Sequence, residues 1–240
     1  MIRFLKSLLP FKLKRKLKNN LGVPSLHWSL NNLKQIGFCP KNVVDVGAYE
    51  GNWTLDFLEV FPNASVLMLE AQQSKENILK NISEKNRNVK YQIGLLSSVE
   101  NEKLYFYQDE TASHVANGNN LGNKNVIEIL TSTVDKAILN TKMDYPCFLK
   151  LDVQGHEIQV LKGAKKALES AIFCLLEVSF LSLSENEPQA LDVIKYMDDQ
   201  DFQMYDITQF MRRPFDKALY QLDLLFIKKN SEYIKEKRWN

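Results

Sequence analysis

The stretch "VVDVGAYEGNW", residues 43–53, opens as a strand and closes as the start of a helix. Val43, Val44, Asp45 and Val46 form a short apolar run with one carboxylate inside it. Gly47 and Gly51 follow, with Ala48, Tyr49 and Glu50 between them. Gly47 lets the backbone turn sharply, and Gly51 lets the following helix come close to a ligand. A helix beginning near Asn52 offers free backbone N–H groups to a polar ligand. Strand, glycine turn and helix in this order predict the first unit of a parallel sheet that binds its ligand at the carboxyl ends of its strands.

The rest of the chain extends this pattern. Residues 43–46, 65–71, 88–93, 147–153, 172–180, 202–207 and 222–229 read as seven strands, with helical patterns over 52–60, 74–86, 156–169 and 188–200. Near-continuous apolar strands alternating with helices imply a mostly parallel α/β sheet covered on both faces. About fifteen residues without a convincing helix join the last two strands, so the final strand is expected to enter antiparallel, as a mixed edge. Residues 103–108 and 125–135 read as extra β segments around the polar loop "DETASHVANGNNLGNK", a length that marks a functional or disordered loop.

Glu70 ends "SVLMLE", 19 residues after Gly51, near the spacing of about 20 at which an acid meets ribose hydroxyls in nucleotide-binding sheets. The glycine spacing departs from G-x-G-x-x-G, however, and a turn bearing Asp45 and Glu50 is a poor host for a diphosphate. It suits a nucleoside with a cationic tail, such as S-adenosylmethionine. The candidate cofactor residues here are Asp45, Gly47, Ala48, Tyr49, Gly51, Glu70 and Ala71.

"FLKLDVQGHEIQVLKGAKKAL", residues 148–168, repeats the arrangement. An apolar strand ends at Asp152, turns through Gly155 and enters a helix carrying Glu157, with His156 beside them. This group can position a hydroxyl, act as a base or hold a divalent cation. His156 reads equally well as a surface residue at a helix start. His114 in the polar loop and Glu177 at the end of "CLLEV" are further acid–base candidates.

"VVDVGAYEGNWT", "VLMLEAQ", "STVDK", "FLKLDVQGHEIQVLKGA", "LLEVS" and "DLLFIKK" together resemble the FkbM-type methyltransferases, in order and spacing, over residues 42 to about 230. The resemblance implies a seven-stranded class I methyltransferase fold and S-adenosylmethionine as methyl donor. It places Asp45, Gly47 and Gly51 in the cofactor turn and makes Glu70 the ribose acid. It adds Ser97 as a candidate cofactor residue near the adenine, where an acid is common, and this and Tyr49, where a small polar residue is common, are two departures from the family pattern. The acceptor it implies is a sugar or polyketide hydroxyl; the reaction expected is in-line methyl transfer with Asp152, Glu157, His156 or His114 as base.

The 240 residues suit one α/β domain, expected over 41–230, with an N-terminal arm (1–40) and a charged tail (231–240). The arm holds eight Lys or Arg and no acid, which leaves 23 bases against 29 acids in the remainder. Residues 2–18 mix Ile, Leu and Phe with Lys and Arg around Pro10, as expected of a basic amphipathic helix that docks on the domain or on an anionic membrane surface. An acidic body without an aromatic–basic stripe argues against nucleic acid. Three cysteines without CxxC spacing argue against a disulfide framework or zinc site and favour a cytoplasmic setting. Two rival readings are a nicotinamide-dependent oxidoreductase and a non-catalytic module that binds RNA or membrane through the arm.

Overall fold

The computed structural model describes residues 23–116, 124–181 and 187–239. The basic helices expected at 2–18 lie outside them. The chain runs through α1 (Leu26–Gln35), β1 (Asn42–Val46), α2 (Asn52–Val60), β2 (Ser65–Glu70), α3 (Glu76–Lys85) and β3 (Val89–Ile93). Four short strands follow: β4 (Leu95–Leu96), β5 (Lys103–Tyr107), β6 (His114–Val115) and β7 (Val126–Ser132). The second half holds α4 (Val134–Thr141), β8 (Phe148–Leu151), α5 (Glu157–Lys162), α6 (Lys165–Ser170), β9 (Phe173–Ser179), α7 (Ala190–Asp199), β10 (Phe202–Arg212) and β11 (Leu219–Lys228).

Seven strands make the main sheet in the order β10-β11-β9-β8-β1-β2-β3. β1 pairs in parallel with β2 on one side and β8 on the other, so the strand order reverses at β1. Alternation along each buried strand feeds two cores. Val44, Val46, Leu149 and Leu151 pack under α4, α5, α6 and α7. Val43, Val66, Met68 and Phe148 pack under α1, α2 and α3. Both faces are thus sealed, which explains why these strands read as unbroken apolar runs.

Four expectations are refined. The last strand does enter antiparallel, but β11 lies inside the sheet between β9 and β10, and β10 is the edge. β10 and β11 are longer than their apolar runs and are joined by a six-residue turn at 213–218, where Arg213 pairs with Asp216. The outer half of β10 mixes exposed Gln209 and Arg212 with Phe210 and Met211, and β11 carries Tyr220 and Gln221 near its start, so apolar runs alone understated both. The helix expected over 156–169 breaks into α5 and α6 at Gly163, where a Cβ would stand 2.1 Å from the Ser97 carbonyl oxygen. The end of the 125–135 β segment is the start of α4, with Thr133 accepting from the Lys136 N–H as its cap.

The described part of the N-terminal arm is integral to the domain, because Leu30 and Leu33 are fully buried and Ser29 donates to Asp206 at 2.6 Å. The tail also packs back, with the Tyr233 ring edge-on to Phe38. Cys39, Cys147 and Cys174 are all free thiols. Among the described residues, no helix is long and apolar enough to cross a membrane.

Candidate active site

A cavity of about 380 Å³ opens at the carboxyl edge of the main sheet, beside the point where the strand order reverses. That volume is in the range of small-molecule sites. The second, smaller sheet (β4-β7-β5-β6) and the segment after β5 form its far wall.

β1 delivers Gly47 to this edge with φ +72°, and a Cβ there would lie 1.8 Å from the carbonyl oxygen of Asp152. Only glycine lets the ends of β1 and β8 approach so closely. Gly51 has a different task from the one its position suggested. Its missing Cβ makes room for Ile82 and Met68 (2.6 and 3.2 Å), so it seats α2 on the core and lies off the cavity wall. Ala48 is likewise buried and off the wall.

Glu70, at the end of β2, lines the cavity with Ala71 and is held from behind. Its Oε2 accepts from the Tyr49 N–H at 2.7 Å and its Oε1 from the Gln72 N–H at 2.8 Å. Burial raises its pKa, opposed by these two backbone bonds. Tyr49 takes φ +48° and places its ring on the wall. Its hydroxyl donates to Glu110 Oε2 at 2.6 Å, and Lys75 Nζ meets the same oxygen at 2.6 Å while lying 4.1 Å over the Tyr49 ring. Gln72 adds a bond to the Glu110 carbonyl. The polar segment after β5 is therefore tied across the glycine turn.

Asp45 is not on the wall. It is wholly buried, accepts from Thr54 Oγ1 at 2.7 Å and pairs with Lys150 Nζ at 3.0 Å. Lys150 also donates to the carbonyls of Val46 and Gly47. Burial alone would depress this ammonium, but the charges of Asp45 and Asp152 outweigh it and hold its pKa above the ordinary lysine value. Glu50 is neutralised in turn by Lys75 at 3.3 Å. The two acids that argued for a cationic ligand are thus paired with lysines, as is Glu110, and the remaining carboxyls on the cavity wall are Glu70, Asp152 and Glu177.

Of the second group, Asp152 and His156 line the cavity and Glu157 does not. Glu157 is buried and folds back to accept from the Gly155 N–H at 3.0 Å, closing its own helix start; burial pushes its pKa up to about 7. Burial lowers the His156 imidazole to about 4, and its Nε2 lies 3.1 Å from Ser97 Oγ. Ser97 itself is buried behind the wall, which Leu95 and Leu96 form there. His114 bonds the Ala112 carbonyl through Nδ1 and is not on the wall. Glu177 is on the wall, and burial together with the charges of Asp152 and Asp223 pushes it up to about 9. Among the described residues, no group of three or more His, Cys, Asp or Glu is arranged to hold a metal ion.

Sequence reasoning missed Lys150, Gln154, Gln221 and the Lys75–Glu110 tie. Lys150 had a signal: one basic residue in "FLKL" and one acid in "VVDV" are complementary charges in otherwise apolar strands. Gln154 lies within the quoted turn between Asp152 and Gly155, while Gln221 and the Lys75–Glu110 tie come from elements distant in sequence and had no signal.

The sheet order, the glycine turn and the strand-end acid define a class I methyltransferase. The chain belongs to the FkbM methyltransferase family, whose domain model matches residues 45–204. A 70-residue stretch is 33% identical to the hexuronic acid methyltransferase AglP of Haloferax volcanii; it covers 29% of this chain and 29% of that protein. The fold is similar to methyltransferase FkbM from Methylobacillus flagellatus KT (TM-score 0.52, 18% identity, 78% of this chain and 43% of that one). It is also similar to EvdMO1 (TM-score 0.50, 12% identity, 84% and 40%). The chain thus spans less than half the length of these relatives.

Proposed function

We propose that this protein transfers a methyl group from S-adenosylmethionine to a hydroxyl of a sugar, glycan or similar small acceptor. The observation that carries the reading is Glu70. Its carboxylate is fixed on the cavity wall by two backbone N–H groups, one on each oxygen, beside the Gly47 turn. Each oxygen retains acceptor capacity, the chemistry that a ribose diol requires.

The rest of the wall suits the same ligand. Leu95, Leu96, Phe106 and Val115 offer an apolar surface for a base, and Asp152 offers a carboxylate where a cationic tail would lie. Bound there, S-adenosylmethionine supplies a methyl group on a positively charged sulfur. The protein's share is placement: a hydroxyl held in line at roughly 3 Å gains most of its rate from orientation.

Asp152 is the residue best placed to accept the hydroxyl proton. Its side chain is 40% exposed on the wall, and Gln154 Nε2 orients it by donating to Oδ1 at 2.9 Å. Glu177, pushed up to about 9, holds its own proton at neutral pH, and the His156 Nε2 is engaged with Ser97 Oγ at 3.1 Å. The hexuronic acid relative supports a sugar acceptor.

Titration calorimetry with S-adenosylmethionine and with NAD tests the cofactor, and labelled methyl transfer to a glycan panel tests the reaction. Glu70→Ala is expected to cost roughly 10- to 100-fold in S-adenosylmethionine affinity. Asp152→Asn is expected to reduce kcat far more than affinity. Tight NAD binding, or an unchanged affinity in Glu70→Ala, would refute the assignment.

A further inference from the structure

One half of the cavity, Asp152 apart, is not used by the cofactor reading. Its wall is made by Asp152, Gln154, Glu177, Met211, Tyr220 and Gln221, from the ends of β8 and β9 and from the β10–β11 hairpin. The polar groups here are organised around Glu177. Gln154 Nε2 donates to Glu177 Oε2 at 2.8 Å and to Asp152 Oδ1 at 2.9 Å. Gln221 Nε2 donates to the same Glu177 oxygen at 3.0 Å. Gln154 sits at φ +51°, a conformation uncommon for a residue with a side chain.

Both carboxamides therefore spend N–H groups on carboxyls, and their oxygens remain as acceptors. Asp152 adds carboxylate acceptors. Lys150 lies behind this wall and is shared among Asp45 at 3.0 Å, two carbonyl oxygens and Asp152 at 3.8 Å, so it partly balances Asp152 and leaves no exposed ammonium for a ligand. The six wall residues carry two acids and no base. A ligand rich in O–H or N–H donors finds partners on such a wall, whereas a carboxylate or phosphate would face the Asp152 carboxylate and find no exposed base to pair with.

We propose that this half is the acceptor subsite, and that it selects a polyhydroxyl acceptor bearing no anionic group: a neutral or amino sugar rather than a uronate or sugar phosphate. The proposal rests on the methyl-transfer reading and narrows it. It separates this chain from the relative named for hexuronic acid, with which it shares only a 70-residue stretch. Glu177 is the specificity-determining residue. With two amides fixing one of its oxygens, the other is left to bond a sugar hydroxyl.

The test uses the full chain with S-adenosylmethionine, reading S-adenosylhomocysteine release. The acceptors are matched p-nitrophenyl glycosides of glucose, galactose and glucosamine against those of glucuronic and galacturonic acid. At least one neutral or amino sugar is expected to turn over about 10-fold faster than its matched uronate. Glu177→Gln should raise the acceptor KM about 10-fold while S-adenosylmethionine affinity stays within about twofold. Gln221→Arg should shift the preference toward uronates. If S-adenosylmethionine binds but uronates react as well as their partners, or neither set reacts, this inference is overturned and the cofactor assignment survives. If S-adenosylmethionine does not bind, the methyl-transfer reading fails and takes this one with it.

Discussion

Asp45 and Lys150 are register partners across β1 and β8, and their charged groups meet at 3.0 Å inside a sheet sealed on both faces. Asp45 is fully buried and Lys150 is 6% exposed. Parallel pairing sets them side by side, so neither charge has water to fall back on. The pair ties together the two strands that flank the cavity's floor.

Breaking that pair on one side strands a buried charge. Lys150→Met is expected to lower unfolding free energy by about 3–5 kcal/mol. The double variant Asp45→Asn/Lys150→Met should recover much of the loss, because no uncompensated charge remains. Urea denaturation of the two single variants and the double variant measures the coupling.

Gly47 and Gly51 both sit at positive φ, yet their substitutions should differ in kind. Gly47→Ala drives a methyl into the backbone carbonyl of Asp152 at 1.8 Å, where nothing can yield locally. We expect a Tm loss large enough to impair folding, with cofactor binding lost in whatever folds. Gly51→Ala meets the tip of Ile82 at 2.6 Å, which can rotate away. Its cost should be the smaller, about 1–3 kcal/mol from backbone conformation, with binding retained. Thermal melts and calorimetry on both variants give the comparison.

Stability should fall as pH rises above neutral. Burial pushes Glu157 up to about 7 and Glu177 up to about 9. A carboxyl whose folded pKa exceeds its unfolded value contributes fully below the unfolded value and loses that contribution as pH rises through the folded one. His156, lowered to about 4, acts oppositely: its contribution is present above the unfolded value near 6.5 and is lost as pH falls toward 4. The opposing slopes overlap below about pH 6.5, and only the acids act above it. Tm should therefore decline between about pH 6.5 and 9, and Glu177→Gln should flatten the decline.

Glu110 is exposed, yet it carries the tie between the segment after β5 and the glycine turn through Tyr49 and Lys75. Exposed ion pairs add little to global stability. Glu110→Ala should therefore leave Tm nearly unchanged while speeding protease cleavage within residues 108–116. Limited proteolysis followed by mass spectrometry distinguishes this from general destabilisation.

The sheet was legible because its strands are buried on both faces, and continuous burial writes continuous apolarity. The helix over 52–60 matched to the residue, since Gly51 and the change of period both mark its start. β10 and β11 were shortened in the reading because exposed Gln209 and Arg212 in β10, and Tyr220 and Gln221 near the start of β11, interrupt their apolar runs. Glu70 and Asp152 were recognisable as strand-end acids, and both lie on the cavity wall. Asp45, inside β1, and Glu157, at the start of α5, sit beside the same two turns but face inward, toward Lys150 and Gly155.

The sequence by itself determined the strand–turn–helix beginnings, the two glycines and which strands end in acids, because each is a matter of local period, backbone freedom and burial. Tertiary structure alone decided which acids face a ligand and which are neutralised internally. That choice depends on strand register and on partners up to 105 residues apart, such as Asp45 with Lys150, which no local pattern encodes.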